Sequence, residues 1–584
     1  MLVLVISGLL GFRVGFVSFP DWQVAVETAQ VLAGLVEYPP SNPFFVYHTK
    51  VWTVLHQICA LLLAAGLEEA TLSRLVSGLL GMVAFQSLSM VVYAFSRNAA
   101  LAIGSALLVV FTRTAEYGVV YPVFLMGTTH TYGALGLSMA VLVAGLVGAG
   151  SFRTGLFLLG ALPAVHPVIG AWLIAVVALA VLSVREIRLE LRPALKFFLV
   201  GFCVTAVSLV IHLVWTGEVP GFRDEGTDRY LTAFAAFWDG HRQPVNFASE
   251  GVKLCAGALT LSLFALTALR ESMSRAQRLL LRLIVVSGLT ALALALITHL
   301  DPARLPSPLM TLMPGRFLNF DAQLAVALLC GLIALSGTGW RTALMLYLSI
   351  GLLLGNRSML WEWLGPQGSV LPLGPTRPLQ ILLTVAGALL LLTVVTPWVR
   401  KRSPDAGRAA GTSRRVLRGA TATMNVAIFL LLGGVALLTW QRRPEVKFLD
   451  RTNDVLFAAA ARTEGFLLTA GDLHLVQLRT RRPVLLDGGG LDGLPYAPES
   501  GPELERILRD VYEIDLFNPP DAARGLGAIP NAANRAAWER FGQDKWRSIG
   551  RAYGVTAVLT FSDWTLDLPV VERNSSYVLY GVPD

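Results

Sequence analysis

Residues 195–216 read LKFFLVGFCVTAVSLVIHLVWT, with one charge, Lys196, at the start and Arg185, Arg188 and Arg192 just before it. A helix of about 20 apolar residues crosses a hydrocarbon core ~30 Å thick, at about 1.5 Å per residue. The stretch therefore reads as a membrane span with a basic loop at one end. Working outward from it, about thirteen stretches meet or approach the same criterion, near 1–18, 51–67, 74–95, 98–112, 132–150, 154–183, 195–216, 251–270, 280–299, 322–337, 339–355, 376–399 and 419–440. The first, fourth, tenth and eleventh are short, and the sixth is long and interrupted. Composition agrees: of 584 residues 54% are hydrophobic and 15% charged, where a soluble domain carries about 25% charged residues. With a mean hydropathy of +0.60, a simple soluble enzyme and a disordered chain are both excluded. The expected fold is an α-helical polytopic membrane protein over residues 1–440, followed by a small soluble α/β domain over 441–584.

The net charge of +8 sits in short segments between apolar runs. It reads as a topology signal rather than a nucleic-acid surface, so no nucleic-acid partner is expected. The strongest basic loop holds Arg400, Lys401, Arg402, Arg408, Arg414, Arg415 and Arg418; the stretches 185–196 and 270–282 agree with it in parity. Placing all three inside puts the N-terminus inside, and puts 19–50, 217–250, 300–321, 356–375 and the C-terminal domain outside. Cys59, Cys203, Cys255 and Cys330 lie in apolar runs without CxxC spacing and read as packing residues.

After Arg442 charges are interspersed and turn signals recur. Short β-like runs at 465–469, 483–486, 555–561 and 576–580 alternate with helical patterns at 502–512 and 532–553, which suggests a compact α/β layer. Gly488, Gly489 and Gly490 follow a β-like run, but no Lys-Ser/Thr or GxGxxG spacing accompanies them, so a tight turn is expected there rather than a phosphate loop.

The residues that could carry chemistry lie at the mouths of spans. The first external loop opens with Phe19-Pro20-Asp21-Trp22, which places a carboxylate where the first span leaves the membrane. Gln23, Glu27, Gln30, Gly34 and Glu37 then recur at helical spacing opposite Val24, Val31, Leu32 and Leu35, the pattern of an amphipathic helix in the interface plane. Asp21 could serve as that helix's N-terminal cap, as a reactive carboxylate, or as both. Three prolines, Pro39, Pro40 and Pro43, forbid a continuous helix next. Tyr47, His48, Lys50 and Trp52 then suit either a lipid headgroup or plain interfacial anchoring.

Deeper in the chain, Gly160-Ala161-Leu162-Pro163-Ala164-Val165-His166-Pro167 interrupts an apolar run. Freed carbonyls at such a break must face protein or a wet cavity, and His166 there is either functional or bonded to one of them. Arg223, Asp224, Glu225, Asp228, Arg229, Asp239, His241 and Arg242 crowd one external loop. Asp301, Arg304 and Arg316 lie in the next, with Asp321 at a span's mouth. Such an arginine can bind a phosphate bidentately or pair with a neighbouring aspartate. Glu116, His130 and His299 also lie near span ends; no metal-ligand spacing joins them, so a divalent metal could be held only by assembly across loops.

Four features together resemble the GT-C superfamily of membrane glycosyltransferases, especially its bacterial members: Asp21 after the first span, an interfacial helix, a Pro-rich stretch, and the break ending in His166-Pro167. The resemblance covers most of 1–440 in layout, through short motifs, and the external C-terminal domain fits it too. It implies a multi-pass protein of the bacterial inner membrane that moves a sugar from a polyprenyl-phosphate donor to an acceptor on the external face. The family's acidic residue, base or orienter for the acceptor, would be Asp21. Its phosphate-holding cation would be Arg316, with Lys50 second and His48 and His166 as neighbours in lipid-phosphate binding. The chain departs from the common pair of adjacent acids, since Trp22 follows Asp21. The donor sugar and the acceptor are not implied. Two other readings stay open: a transporter or flippase, motivated by the interrupted sixth segment, and a non-catalytic scaffold whose exported domain binds envelope partners.

Overall fold

The computed structural model describes residues 1–112, 126–217, 228–240, 242–300, 312–335, 454–471 and 473–583, together with 305 and 309. The expected spans at 339–355, 376–399 and 419–440, the basic loop at 400–418 and the domain border near 440 lie outside the described residues, as do Glu116, Arg223, Asp224, Glu225, His241, Asp301 and Arg304.

The chain begins with α1 (Leu2–Arg13), extended by a wider turn at Val14–Ser18, then α2 (Val24–Leu32), α3 (Pro43–Lys50), α4 (Val54–Ala64), α5 (Glu69–Ser96), α6 (Ala99–Ser105) and α7 (Leu107–Thr112). It continues with α8 (Thr131–Gly148), α9 (Phe152–Val165), α10 (Pro167–Ser183), α11 (Arg185–Leu191), α12 (Leu195–Thr216), α13 (Asp228–Ala233), α14 (Glu250–Ala268), α15 (Arg275–Ile297) and α16 (Leu318–Leu335). Among the described residues, six helical segments are long and apolar enough to cross a membrane: Glu69–Ser96, Thr131–Gly148, Arg185–Thr216, Gly251–Ala268, Arg275–Ile297 and Pro314–Leu335. Leu199, Val200, Val207, Val210 and Val214 of α12 are exposed, an apolar outer face of the kind that lipid covers. The chain is a multi-pass helical membrane protein.

Small residues let these helices meet backbone to backbone, as membrane helices do without a hydrophobic drive between them. A Cβ on Gly11 of α1 would stand 2.2 Å from the Gly81 carbonyl oxygen of α5. One on Gly201 of α12 would stand 2.0 Å from that of Phe157 in α9, beside the bond from Thr205 Oγ1 to the Gly160 carbonyl, 2.8 Å.

Contacts sort the helix ends onto two faces. On one, Arg97 donates to the Ala149 carbonyl (2.9 Å), Gln277 to that of Ala94 (2.8 Å), and Arg275 pairs with Glu190 (2.6 Å). The basic stretches 185–196 and 270–282 lie there. On the other, the C-terminal domain is seated on the loops that the sequence assigns to the outer side.

Two expected spans need correction. Residues 51–67 do not cross: Lys50 before α4 pairs with Glu499, and Glu69 after it with Arg481 (2.5 Å), both partners in the C-terminal domain. At 11 residues, α4 reaches about 16 Å, half the bilayer core. Residues 154–183 are not one interrupted span but two helices. α9 and α10 fold back on each other at His166, so closely that a Cβ on Gly170 would lie 2.6 Å from the Pro163 nitrogen. The omitted crossing offsets the extra one, so parity is restored after residue 184. The break that motivated a transporter is thus the apex of a helical hairpin.

The C-terminal domain, here the tail, contains a four-stranded sheet of order β1-β2-β4-β3, with β1 (Phe466–Thr469), β2 (Val555–Phe561), β3 (Val570–Arg573) and β4 (Tyr577–Gly581). β1 and β2 are parallel; the other pairs are antiparallel. The expected strand at 483–486 makes one isolated bridge, Leu467 to Val484. Leu504, Ile507, Leu508 and Val511 form the buried stripe of helix Gly501–Tyr512. The helical pattern at 532–553 is two helices, Asn531–Trp538 and Gln543–Tyr553, parted near Gly542. Tyr230, Phe234 and Trp238, from α13 and the turn after it, belong to the tail's core.

Candidate functional site

Asp21 lies between the first span and α2. Its N–H donates to Ser77 Oγ of α5 (3.1 Å), and its Oδ1 accepts the N–H of Trp22 (2.9 Å). It does not cap α2, which starts at Val24 with Gln23 in the cap position. Gln23 is fully buried and carries the connection inward: its Nε2 donates to Ser77 Oγ (3.0 Å) and to the Thr128 carbonyl (2.8 Å), and its Oε1 accepts from Thr131 Oγ1 (2.9 Å). Asp21 is thereby tied to the turn that opens α8, where His130 sits.

On the far side of that turn, His166 and Arg316 line one cavity with Leu137, Ile169, Trp172 and Phe317. Two backbone devices set it. His166 Nδ1 accepts the N–H of Ile169 (3.3 Å), so the imidazole caps α10. Met313 takes a left-handed φ of 46° ahead of the short turn Pro314–Phe317, and Trp172 Nε1 ties that turn to α10 through the Leu312 carbonyl, 2.8 Å. The result is a half-buried guanidinium above an apolar wall, at the mouth of spans and beneath the tail.

The tail adds groups that the sequence did not single out. Asp492 ends the helical turn Gly488–Asp492. Burial and the charge of the Asp239 carboxylate push its carboxyl up to about 6, against the pull of Arg316, Arg242 and His474. Tyr496 reaches Met313 Sδ with its hydroxyl (3.9 Å), and its ring lies 6.0 Å from the Arg242 guanidinium. Arg242 is paired with Asp239, both buried. His130 feels Arg316 and His474 as well, and burial together with these two holds its pKa down. Glycine was the only sequence signal here: a Cβ on Gly493 would stand 2.8 Å from the Tyr47 ring, and one on Gly490 3.0 Å from Phe44. In place of the expected tight turn, residues 488–492 form a short helix, and its glycines give the surface by which the tail sits on α3.

No family model matches the chain, and neither does any curated protein. Among solved structures it is similar to ArnT from Cupriavidus metallidurans bound to undecaprenyl phosphate, at 14% identity and a TM-score of 0.41, over 100% of this chain and 97% of that one. At that distance the roles of individual residues rest on their own geometry.

His48 and Lys50 are placed away from the cavity lining. Lys50 pairs with Glu499 of the tail. His48 is buried, with Nδ1 2.9 Å from Thr28 Oγ1 and its ring edge-on to Phe44 at 4.2 Å. Burial pushes its pKa down to about 3, so it is neutral. Thr28 continues to the Tyr132 hydroxyl (3.3 Å) and on to His56. The amphipathic helix is likewise not spread on a headgroup plane. α2 is buried on all sides, its polar side against the tail, with Gln30 Nε2 donating to the Leu478 carbonyl (3.1 Å) and Gln477 Nε2 to that of Glu27, 3.1 Å. Among the described residues, no group of three or more His, Cys, Asp or Glu side chains converges on a metal position.

Glu27 stands out in that interface. It is 4% exposed, its Oε1 has no hydrogen-bond partner among the described residues, and burial, then the Asp487 carboxylate, raises its pKa well above the usual range. A carboxyl raised on folding stabilises most below its unfolded value of about 4.3, and that contribution is lost as pH rises through the folded pKa. Glu27→Gln is therefore expected to raise the melting temperature at about pH 8 and to change it little at about pH 4. A variant no more stable than wild type at the higher pH would show that the carboxylate is compensated.

Proposed function

We propose that the chain is a GT-C-type membrane glycosyltransferase that moves a sugar from a polyprenyl-phosphate-linked donor to an acceptor at the tail-bearing face. That face would be the extracytoplasmic side of a bacterial inner membrane, with the N-terminus inside, residues 1–440 as the membrane domain and 441–584 as the external domain. One observation carries the reading: a cation, Arg316, stands at the mouth of the spans over an apolar cavity wall. The lining matches the chemistry of an amphiphile with a phosphate head and a hydrocarbon tail, because a guanidinium pairs bidentately with phosphate oxygens while the apolar chain stays out of water; the cavity, about 20 Å³, would widen to admit it.

In the transfer, the acceptor oxygen forms a bond to the anomeric carbon as the bond from that carbon to the phosphate oxygen breaks. Asp21 takes the acceptor's proton, and Arg316 stabilises the charge gathering on the departing phosphate. The proton then passes to solvent or to the phosphate, leaving polyprenyl phosphate as product. His166 orients the cavity wall through its cap on α10, Lys50 ties α3 to the tail, and His48 ties α3 to α2 through Thr28.

The test is binding of polyprenyl phosphate to the purified protein by native mass spectrometry or thermal shift. Wild type and Asp21→Asn are expected to bind saturably. Arg316→Ala should weaken binding by about 10- to 100-fold, what the loss of charge-assisted hydrogen bonds of roughly 1.5–3 kcal/mol produces. Binding no stronger than that of phosphatidylglycerol would overturn the reading in favour of a transporter or a scaffold.

A further inference from the structure

Arg316 is presented to its cavity by a backbone turn that two outside groups hold. The Met313 carbonyl accepts the Arg316 N–H (3.0 Å), so the place of Arg316 follows from how Met313 is set. Met313 is left-handed, with φ 46° and ψ 68°. An L side chain takes that region at a cost, because its Cβ crowds the following carbonyl oxygen, and it stays there only where its surroundings hold it. From α10, Trp172 Nε1 donates to the Leu312 carbonyl, 2.8 Å. From the tail, the Tyr496 hydroxyl donates to Met313 Sδ, 3.9 Å. The first bond fixes the planar 312–313 peptide and the second fixes the side chain beyond Cα, so between them they set φ, the rotation that separates the two. Met313 is buried, and Met313, Trp172 and Arg316 line the same cavity. Gly315 packs the turn closely on the segment before α14, since a Cβ there would stand 2.9 Å from Val245 Cγ2.

We propose that Tyr496 is a positioning residue for the anion site: by holding Met313 left-handed it keeps Arg316 turned to the cavity, so the tail sets ligand affinity without touching the ligand. This rests on the reading of Arg316 as the phosphate-holding residue. A phenol O–H on a thioether makes a weak bond, comparable in size to the cost of one left-handed residue. Its loss is therefore enough to let the turn relax and carry the guanidinium away. A cavity that must widen for its ligand also needs a fixed point, and a turn held from both sides keeps the cation in place while the apolar side chains part.

The probe is polyprenyl phosphate, bound to the full-length protein in detergent and read by native mass spectrometry. Tyr496→Phe, which removes one oxygen, is expected to weaken binding about 3- to 10-fold, the usual weight of one hydrogen bond. Met313→Leu, similar in volume and without the sulfur, should weaken it by as much. The double variant should bind no more weakly than either single one, since both delete the same contact. At position 313 glycine should bind more tightly than alanine: both lack the sulfur, and only glycine reaches a φ of 46° without cost. A merely structural role would lower the melting temperature of Tyr496→Phe, but it predicts neither the loss of additivity nor the order of glycine and alanine. Tyr496→Phe binding as wild type does, losses that add in the double variant, or alanine binding as tightly as glycine would each refute the positioning role, even where Arg316→Ala abolishes binding. If Arg316→Ala binds the probe as wild type does, the phosphate reading itself fails.

Discussion

Asparagine at position 21 is expected to lower sugar transfer by about 10²- to 10⁴-fold, the usual contribution of a positioned general base, while leaving folding and donor binding intact. The hydrogen bond that Oδ1 accepts from the Trp22 N–H can be made equally by an amide oxygen, and the backbone bond to Ser77 does not involve the side chain. What asparagine lacks is a basic oxygen. Because Asp21 does not cap α2, a fall in rate cannot be traced to a frayed helix. The measurement is sugar moved from whichever polyprenyl-phosphate donor wild type consumes, alongside the melting temperature and binding of polyprenyl phosphate. A variant that keeps more than about a tenth of the wild-type rate would remove Asp21 from the role of base.

The spans were legible because lipid demands an apolar side chain at nearly every turn of a helix, and hydropathy reports that directly. Hydropathy does not report direction. α4 is apolar enough to resemble a span, and only the remote contacts of Lys50 with Glu499 and of Glu69 with Arg481 return both its ends to one face. The hairpin at His166 was hidden for the same reason: its two helices are each apolar, and the fold-back depends on how Gly170 meets Pro163. For α2 the helical period was right and its polar partner was not, since a protein surface and a headgroup layer leave the same pattern. In the site, Asp21, His166 and Arg316 drew notice because charge or imidazole at a span's mouth is costly. Asp492, His474 and Tyr496 carry no such signal; in a soluble domain they are ordinary residues until the tail is seated.

That seating makes the second large effect one of stability. Trp238→Ala is expected to cost about 3–5 kcal/mol. The residue is fully buried in the tail's core, its Nε1 donates to the Leu516 carbonyl (2.8 Å), and its own carbonyl accepts from the Gly527 N–H, 2.6 Å. Truncation leaves a cavity and strips the Leu516 carbonyl of a buried donor. Because Tyr230, Phe234 and Trp238 reach the tail from the loop between α12 and α14, residues 442–584 produced alone should lack a cooperative melting transition, and a peptide spanning 228–242 added in trans should restore one. Limited proteolysis of the full-length Trp238→Ala variant should cut within the tail at protease levels that spare wild type. An isolated tail that melts as sharply as it does in the intact chain would refute this. If the prediction holds, Trp238→Ala should also abolish transfer without altering any group proposed to touch the substrate, because an undocked tail withdraws Asp492, His474 and Tyr496 from Arg316. Transfer that survived the loss of the tail would instead confine the chemistry to Asp21 and the cavity of His166 and Arg316.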